Sequence, residues 1–260
     1  MHGLVDYHTH SILSDGHSCY EEMIAAAIGK GLFEIGLSDH LCVRYPSWAL
    51  KAVDLPVMTD QIMQLKEKYR NRISVRFGIE ADYFPESEKQ IGILINSLPL
   101  DYVIGSVHFM GDWNFDGDES LYGKWINDEL YHRYFTIIQQ AARSRLFDVI
   151  GHLDLIKNYR IFPETDQKRL FDETLSVIAS SDLVVELNTS GPDRPCGEFL
   201  PGPHLLGLCY DHGIRVTLGS DAHRPRQVGR HFEQAIELLK KTGYSEIVTF
   251  EKRKKSFQKI

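Results

Sequence analysis

Leu4-Val-Asp-Tyr-His-Thr-His10 begins with two apolar residues and closes on two histidines one residue apart. In an extended strand residues i and i+2 point to one side, so His8 and His10 can chelate a single ion. Far along the chain, Val216-Thr-Leu-Gly-Ser-Asp-Ala-His223 repeats the pattern, with Asp221 and His223 at the same spacing after an apolar run. One such pair alone is as easily a partly exposed strand end as a ligand pair. Two of them, each closing a strand-like run, point to a metal site.

Working outward from these ends, short apolar runs predict strands at Leu4–His8, Glu34–Asp39, Ser74–Glu80, Tyr102–His108, Val149–His152, Leu183–Asn188 and Arg215–Ser220. Amphipathic stretches between them predict helices at Glu21–Lys30, Thr59–Tyr69, Glu88–Leu98, Ile126–Ser144, Gln167–Ser180, Pro203–His212 and His231–Thr242. Strands alternating with helices of this length make a parallel α/β sheet. Seven such units in 260 residues suit a single barrel domain, 1–260, better than an open sheet. Residues 110–124 and 191–202 are expected as long loops at one rim, and the basic tail 251–260 as an edge strand or docked segment.

The strands end in His8 and His10, in Asp39-His40, in Glu80, in His108, in His152, in Asn188, and in Asp221 and His223. In a parallel barrel these ends converge on the C-terminal mouth. His108 or His152 alone would read as a satisfied core histidine; within this set each reads as a ligand. Asp39 beside His40 suits a carboxylate that supports a liganding imidazole. Glu80 closes an apolar strand, where an ionised carboxylate needs cations nearby, and its two oxygens can bridge two of them.

The donors are imidazole and carboxylate without thiolate, which suits Zn, Mn or Fe. Eight or nine donors suffice for two or three ions. Such ions acidify water and clamp a phosphoryl group, so the reaction class is metal-assisted hydrolysis, most naturally of a phosphate ester.

Composition does not forbid a small phosphorylated substrate, since bound cations can reverse the local field. With 29 basic and 36 acidic residues the net charge is −7, which argues against a general affinity for nucleic acid or an anionic membrane. No run approaches a spanning helix, and the N-terminus lacks a signal-peptide pattern. Four scattered cysteines without a CxxC pair read as reduced thiols, hence a cytoplasmic protein. Oligomeric state is not readable.

Asp6-Tyr-His8-Thr-His10-Ser with Ser14-Asp15-Gly16, Ser38-Asp39-His40, Gly78-Ile-Glu80, Gly105-Ser-Val-His108, Gly151-His152-Leu-Asp154 and Gly219-Ser-Asp221-Ala-His223 resemble the polymerase and histidinol phosphatase (PHP) superfamily, in family order. Asp101-Tyr-Val-Ile-Gly-Ser-Val-His108, Glu186-Leu-Asn188-Thr-Ser-Gly191 and Ser220-Asp-Ala-His-Arg-Pro225 resemble its histidinol-phosphate phosphatase branch. The resemblance implies a distorted seven-stranded (β/α)7 barrel, PHP-type, with a trinuclear centre at the C-terminal mouth. It implies one ion on His8, His10, Glu80 and Asp221, a second on Glu80, His108 and His152, and a third on His40, His223 and a residue of the first loop. Asp15 is preferred there over His17.

The implied reaction is hydrolysis of L-histidinol phosphate to histidinol and phosphate. Glu80 and Asp221 are its catalytic candidates, Asp221 as ligand or proton carrier. Arg194 and Arg160 are the candidate phosphate clamps, with Arg224 less favoured. A PHP phosphoesterase of other specificity and a non-catalytic metal-binding barrel are the alternatives. The first, if it acted on DNA, calls for a basic track, and the second for a missing ligand; neither feature is present.

Overall fold

The structure, a computed structural model, describes residues 3–45 and 47–260. The seven apolar runs form strands β1 (Val5–Asp6), β2 (Glu34–Leu37), β3 (Ser74–Asp82), β4 (Tyr102–Ser106), β5 (Val149–Ile150), β6 (Val184–Asn188) and β7 (Val216–Gly219). Each pairs in parallel with the next. β7 returns to β1 through backbone bonds from Tyr7 N to Leu218 O at 3.0 Å and from Ala222 N to His8 O at 3.1 Å. The sheet is thereby a nearly closed barrel. The strands are almost wholly buried, as expected when helices cover a parallel sheet.

Helices α1 (Tyr20–Gly29), α2 (Leu55–Tyr69), α3 (Glu88–Asn96), α4 (Asn127–Ser144), α5 (Lys168–Ser180), α6 (Pro203–Asp211) and α7 (Phe232–Thr242) surround it. α2 begins four residues before the predicted Thr59, because Pro56 stands in its first turn, where a missing N–H breaks no helical bond. Among the described residues no helix is long and apolar enough to cross a membrane.

The N-terminal end of the barrel is closed. Tyr7, Tyr102 and Phe250 pack together inside it, with Tyr7 and Tyr102 ring centroids 4.7 Å apart. Phe250 belongs to β8 (Glu246–Glu251), which forms an antiparallel hairpin with β9 (Lys254–Lys259). The basic tail is therefore the second arm of a hairpin, and it does not extend the barrel sheet. The reason lies in what the first arm buries: Ile247, Val248 and Phe250 are at most 1% exposed. The Phe250 N–H donates to the Tyr7 hydroxyl at 3.0 Å, the Arg253 N–H to Asp101 O at 2.8 Å, and the Arg253 Nε to Asp148 at 2.8 Å.

The opposite end carries the polar side chains. His40–Leu41 forms a short strand on β3, in register with Glu80 and Ala81, which sets His40 beside Glu80. The expected loop 110–124 is partly folded. Phe109–Met110 pairs with Trp113–Asn114, a 3₁₀ turn spans Glu119–Lys124, and Trp113 Nε1 donates to Asp118 O at 2.8 Å.

Candidate metal centre

Glu80 stands at the middle of the mouth and is 1% exposed. Its Oε2 lies 2.8 Å from His40 Nδ1, 3.0 Å from His8 Nε2 and 3.5 Å from His10 Nε2. Its Oε1 lies 3.0 Å from His152 Nε2 and 3.6 Å from His108 Nε2. Asp221 Oδ1 faces His10 Nε2 at 3.5 Å and His223 Nδ1 at 3.6 Å. Asp221 has a left-handed φ of 52°, which a non-glycine residue adopts when its surroundings hold it there. Here Arg230 Nη2 donates to its carbonyl at 2.7 Å and Arg194 Nη2 to its carboxylate at 2.9 Å.

In the first loop Asp15 faces the cluster, with Oδ2 3.3 Å from His223 Nε2 and Oδ1 3.6 Å from His40 Nε2. His17 is exposed and lies beside the Arg224 guanidinium at 3.2 Å. The nine expected ligands, His8, His10, Asp15, His40, Glu80, His108, His152, Asp221 and His223, thus meet in one place.

The arrangement fits divalent ions. Donor atoms of His8, His10 and Glu80 lie within 4.8 Å of one another, as do those of His40, Glu80 and His108, and those of His10, Asp15, His40 and His223. The grouping differs from the expected sets, since His10 and His40 each serve two groups. His8 Nε2, both His10 nitrogens, His40 Nδ1, His152 Nδ1 and Glu80 Oε2 are buried without a hydrogen-bond partner. Buried polar atoms are nearly always paired, so a cluster of unpaired lone-pair donors is the signature of a cation site.

Around this cluster stand carboxylates whose contacts the strand-end pattern did not reveal. Glu186 Oε1 lies 2.7 Å from His8 Nδ1, and Asp82 Oδ1 lies 2.8 Å from His108 Nδ1. A usable signal was present: Glu80 and Asp82 share one strand face, as do Glu186 and Asn188. Asp39, expected to support an imidazole, instead accepts from Ser11 N and Oγ, Ser14 Oγ and Tyr20 OH at 2.5–2.8 Å. Its side chain points to the first loop because three hydroxyls and an amide converge there, so it fixes the segment that carries Asp15.

Electrostatics separate the imidazoles of the metal-free protein. Burial lowers the His8 pKa, but Glu186, Glu80 and Asp221 outweigh it and hold the ring protonated well above the usual histidine range. His108 is likewise pushed up to about 10, burial being overcome by Asp82. His10 goes the other way, down to about 3, through burial and the neighbouring His40 and His223. Burial opposes ionisation of Glu80 and Asp221, yet the surrounding imidazoles hold both carboxyls well below the usual range.

A cavity of about 270 Å³ opens over the cluster, walled by Trp48, Asn114, Asp116, Arg194 and the outer imidazoles. A larger one of about 510 Å³ lies between the Ile12 loop and α2. It contains none of the clustered donors, so chemistry rather than volume identifies the site. Arg194 donates through Nε to Ser190 Oγ at 3.0 Å, Nη1 to Asp116 Oδ1 at 2.8 Å and Nη2 to Asp221 Oδ2 at 2.9 Å. Arg160 does not join this wall. The turn after Leu155–Lys157 leaves it exposed with a left-handed φ of 62°, while the two residues before it are tied to Asp116.

The PHP domain family profile matches residues 6–190. The chain is 37% identical to the probable histidinol-phosphatase of Deinococcus radiodurans, covering 98% of this chain and 99% of that one. It is 28% identical to the histidinol-phosphatase of Lactococcus lactis, over 98% of each. A crystal structure of the L. lactis histidinol phosphate phosphatase with zinc, L-histidinol and phosphate superposes with a TM-score of 0.86 at 28% identity, covering 98% of this chain and all of that one.

Proposed function

The chain belongs to the PHP domain family, and from that premise we propose that it is a metal-dependent phosphomonoesterase hydrolysing L-histidinol phosphate to L-histidinol and phosphate. The observation that carries the reading is the likeness, along the whole chain, to a phosphatase seen with zinc, histidinol and phosphate.

We assign His8, His10, Asp15, His40, Glu80, His108, His152, Asp221 and His223 as holders of two or three divalent ions. Zinc is supported by the relative, and manganese and iron by the donor types. When bound, such ions supply Lewis-acid charge to phosphoryl oxygens and acidify water. The chain's own groups do the rest. Glu80 and Asp221 are both held ionised, the form in which a carboxylate ligates a cation, and Asp221 stands at the floor of the cavity. Arg194 carries five N–H groups and uses three on Ser190, Asp116 and Asp221. Two remain for phosphoryl oxygens. Asp116 Oδ1 accepts from both Arg194 and Asn158, so it holds the fork of the guanidinium in place. Trp48, stacked edge-on against His40 at 4.4 Å, and Asn114 offer an apolar face and an amide to the non-phosphate half.

Four unpaired cysteines support a reducing, cytoplasmic setting. We read residues 1–260 as one catalytic domain.

The test is phosphate release by purified protein with its metals quantified, comparing L-histidinol phosphate, other phosphomonoesters and a single-stranded oligonucleotide. A kcat/KM above roughly 10⁴ M⁻¹s⁻¹ for histidinol phosphate, well above the rest, is the expected result. Equal, weak turnover of every substrate would overturn the substrate assignment.

A further inference from the structure

Glu186 is 1% exposed on β6 and does not line the cavity. Its two oxygens serve three donors: Oε1 meets His8 Nδ1 at 2.7 Å, while Oε2 accepts from the His152 backbone N–H at 2.9 Å and from Asn188 Nδ2 at 3.1 Å. It therefore ties together the ends of β1, β5 and β6. The barrel is shaped around it. A Cβ on Gly219 would stand 1.8 Å from Glu186 Oε1.

We infer that Glu186 is a positioning residue that fixes which nitrogen of His8 faces the metal cluster. The inference rests on the metal reading above. With both Glu186 oxygens accepting, the His8 Nδ1 must donate, so the proton the ring gives up on taking an ion is the one on Nε2, and Nε2 becomes the lone-pair nitrogen. That atom is the one aimed at the cluster: it lies 3.0 Å from Glu80 Oε2 and has no hydrogen-bond partner. The same carboxylate holds the backbone of His152, whose ring reaches Glu80 Oε1 from the other side at 3.0 Å. One buried side chain thus orients the His8 imidazole and anchors the backbone that carries the imidazole on the other flank of Glu80. Carboxylates behind liganding histidines set tautomer and ring orientation and raise ligand basicity.

An amide cannot replace it. Glutamine at 186 has one acceptor oxygen, and its NH₂ would have to face a donor, either the His8 Nδ1–H or the His152 N–H. Aspartate keeps both acceptors but falls one methylene short, so Glu186→Asp restores the chemistry with imperfect reach.

The experiment compares wild type, Glu186→Gln and Glu186→Asp by zinc content after dialysis against graded chelator. Unfolding of each metal-free protein and the ¹⁵N shifts of the His8 ring in the zinc-loaded protein are read alongside. The expected result is a loss of zinc affinity of about 10–100-fold in Glu186→Gln, partial recovery in Glu186→Asp, and loss of the single Nδ1-protonated signature of His8 only in the amide variant. A merely structural role would lower the metal-free unfolding temperature of both variants and leave chelator resistance and the His8 shifts unchanged. That outcome overturns the inference. Wild-type protein that holds no stoichiometric divalent ion would overturn the metal reading itself, and the inference with it.

Discussion

Arg194 and Asp221 are joined by a 2.9 Å bond from Nη2 to Oδ2, so the guanidinium at the cavity wall is fastened to a carboxylate of the cluster floor. The link holds that cation at a set distance from the imidazoles, and it opposes ionised Asp221 with a full positive charge.

Removing that cation should weaken substrate binding more than metal binding. Arg194→Ala loses charge-assisted bonds of about 1.5–3 kcal/mol each, so KM for a phosphomonoester should rise about 10–100-fold with bound metals retained. Arg194→Lys should recover only part, because one ammonium cannot span Asp116, Asp221 and phosphate together. Steady-state kinetics with metal analysis checks this; an unchanged KM would move the phosphate clamp elsewhere.

Metal uptake should release protons. In the metal-free protein His8 and His108 are held protonated well above the usual histidine range and must lose a proton to ligate, and, against burial, Asp15 and Asp221 shift His223 in the same direction. Apparent affinity should therefore fall with falling pH, by about tenfold per unit for each proton displaced. Calorimetric zinc titrations in buffers of different ionisation enthalpy read the proton count directly. The sign for folding is the opposite of that for binding. A raised histidine pKa stabilises the metal-free fold below its unfolded value, and that contribution is lost as pH rises through the folded value. For His108 the window runs from the ordinary 6.5 to about 10. Metal-free protein should thus lose stability across that range, while zinc-loaded protein should not.

Much of the site was legible because a parallel barrel brings every strand's C-terminal end to one face. His8, His40, Glu80, His108, His152 and Asp221 could be gathered from strand ends alone. What escaped was direction within the mouth. Asp39 follows β2 as plainly as His40 does, yet its side chain turns to Ser11, Ser14 and Tyr20. Glu186 and Asp82 lie on the strands themselves, where a single carboxylate in an apolar run does not announce which imidazole it meets. Arg160 stands outside the cavity wall for a related reason, since a loop's position in sequence does not say which way its turn points. The hairpin was half seen: Ile247-Val-Thr-Phe250 is too short a buried run to be separated from the end of α7, and only the basic arm stood out.

That hairpin should be indispensable to folding. Burying Ile247, Val248 and Phe250 contributes about 1.5–3 kcal/mol each, before the bonds to Tyr7, Asp101 and Asp148 are counted. Their sum, about 5–9 kcal/mol, rivals the whole stability of an ordinary domain. A chain ending at Ser245 should therefore unfold or aggregate at 25 °C even with zinc present, as judged by circular dichroism and size exclusion. A truncated protein with native unfolding behaviour would show that the barrel end closes without it.

Gly219→Ala approaches the Glu186–His8 contact from β7, the strand that lies between β6 and β1. The new methyl would stand 1.8 Å from Glu186 Oε1 and 2.6 Å from His8 Cβ. The carboxylate can swing aside, but the His8 Cβ is anchored to β1 and can yield only with its backbone. Overpacking of this kind costs about 1–3 kcal/mol, which the fold should survive. Displacing Glu186 also frees the His8 Nδ1, so zinc affinity should fall along with stability. Combining Gly219→Ala with Glu186→Gln then separates the two effects. If the methyl acts on zinc through Glu186, the double variant should bind zinc no worse than Glu186→Gln alone, while its unfolding temperature stays lower. Additive losses in zinc affinity would mean that Gly219→Ala disturbs His8 directly, through the β1 backbone.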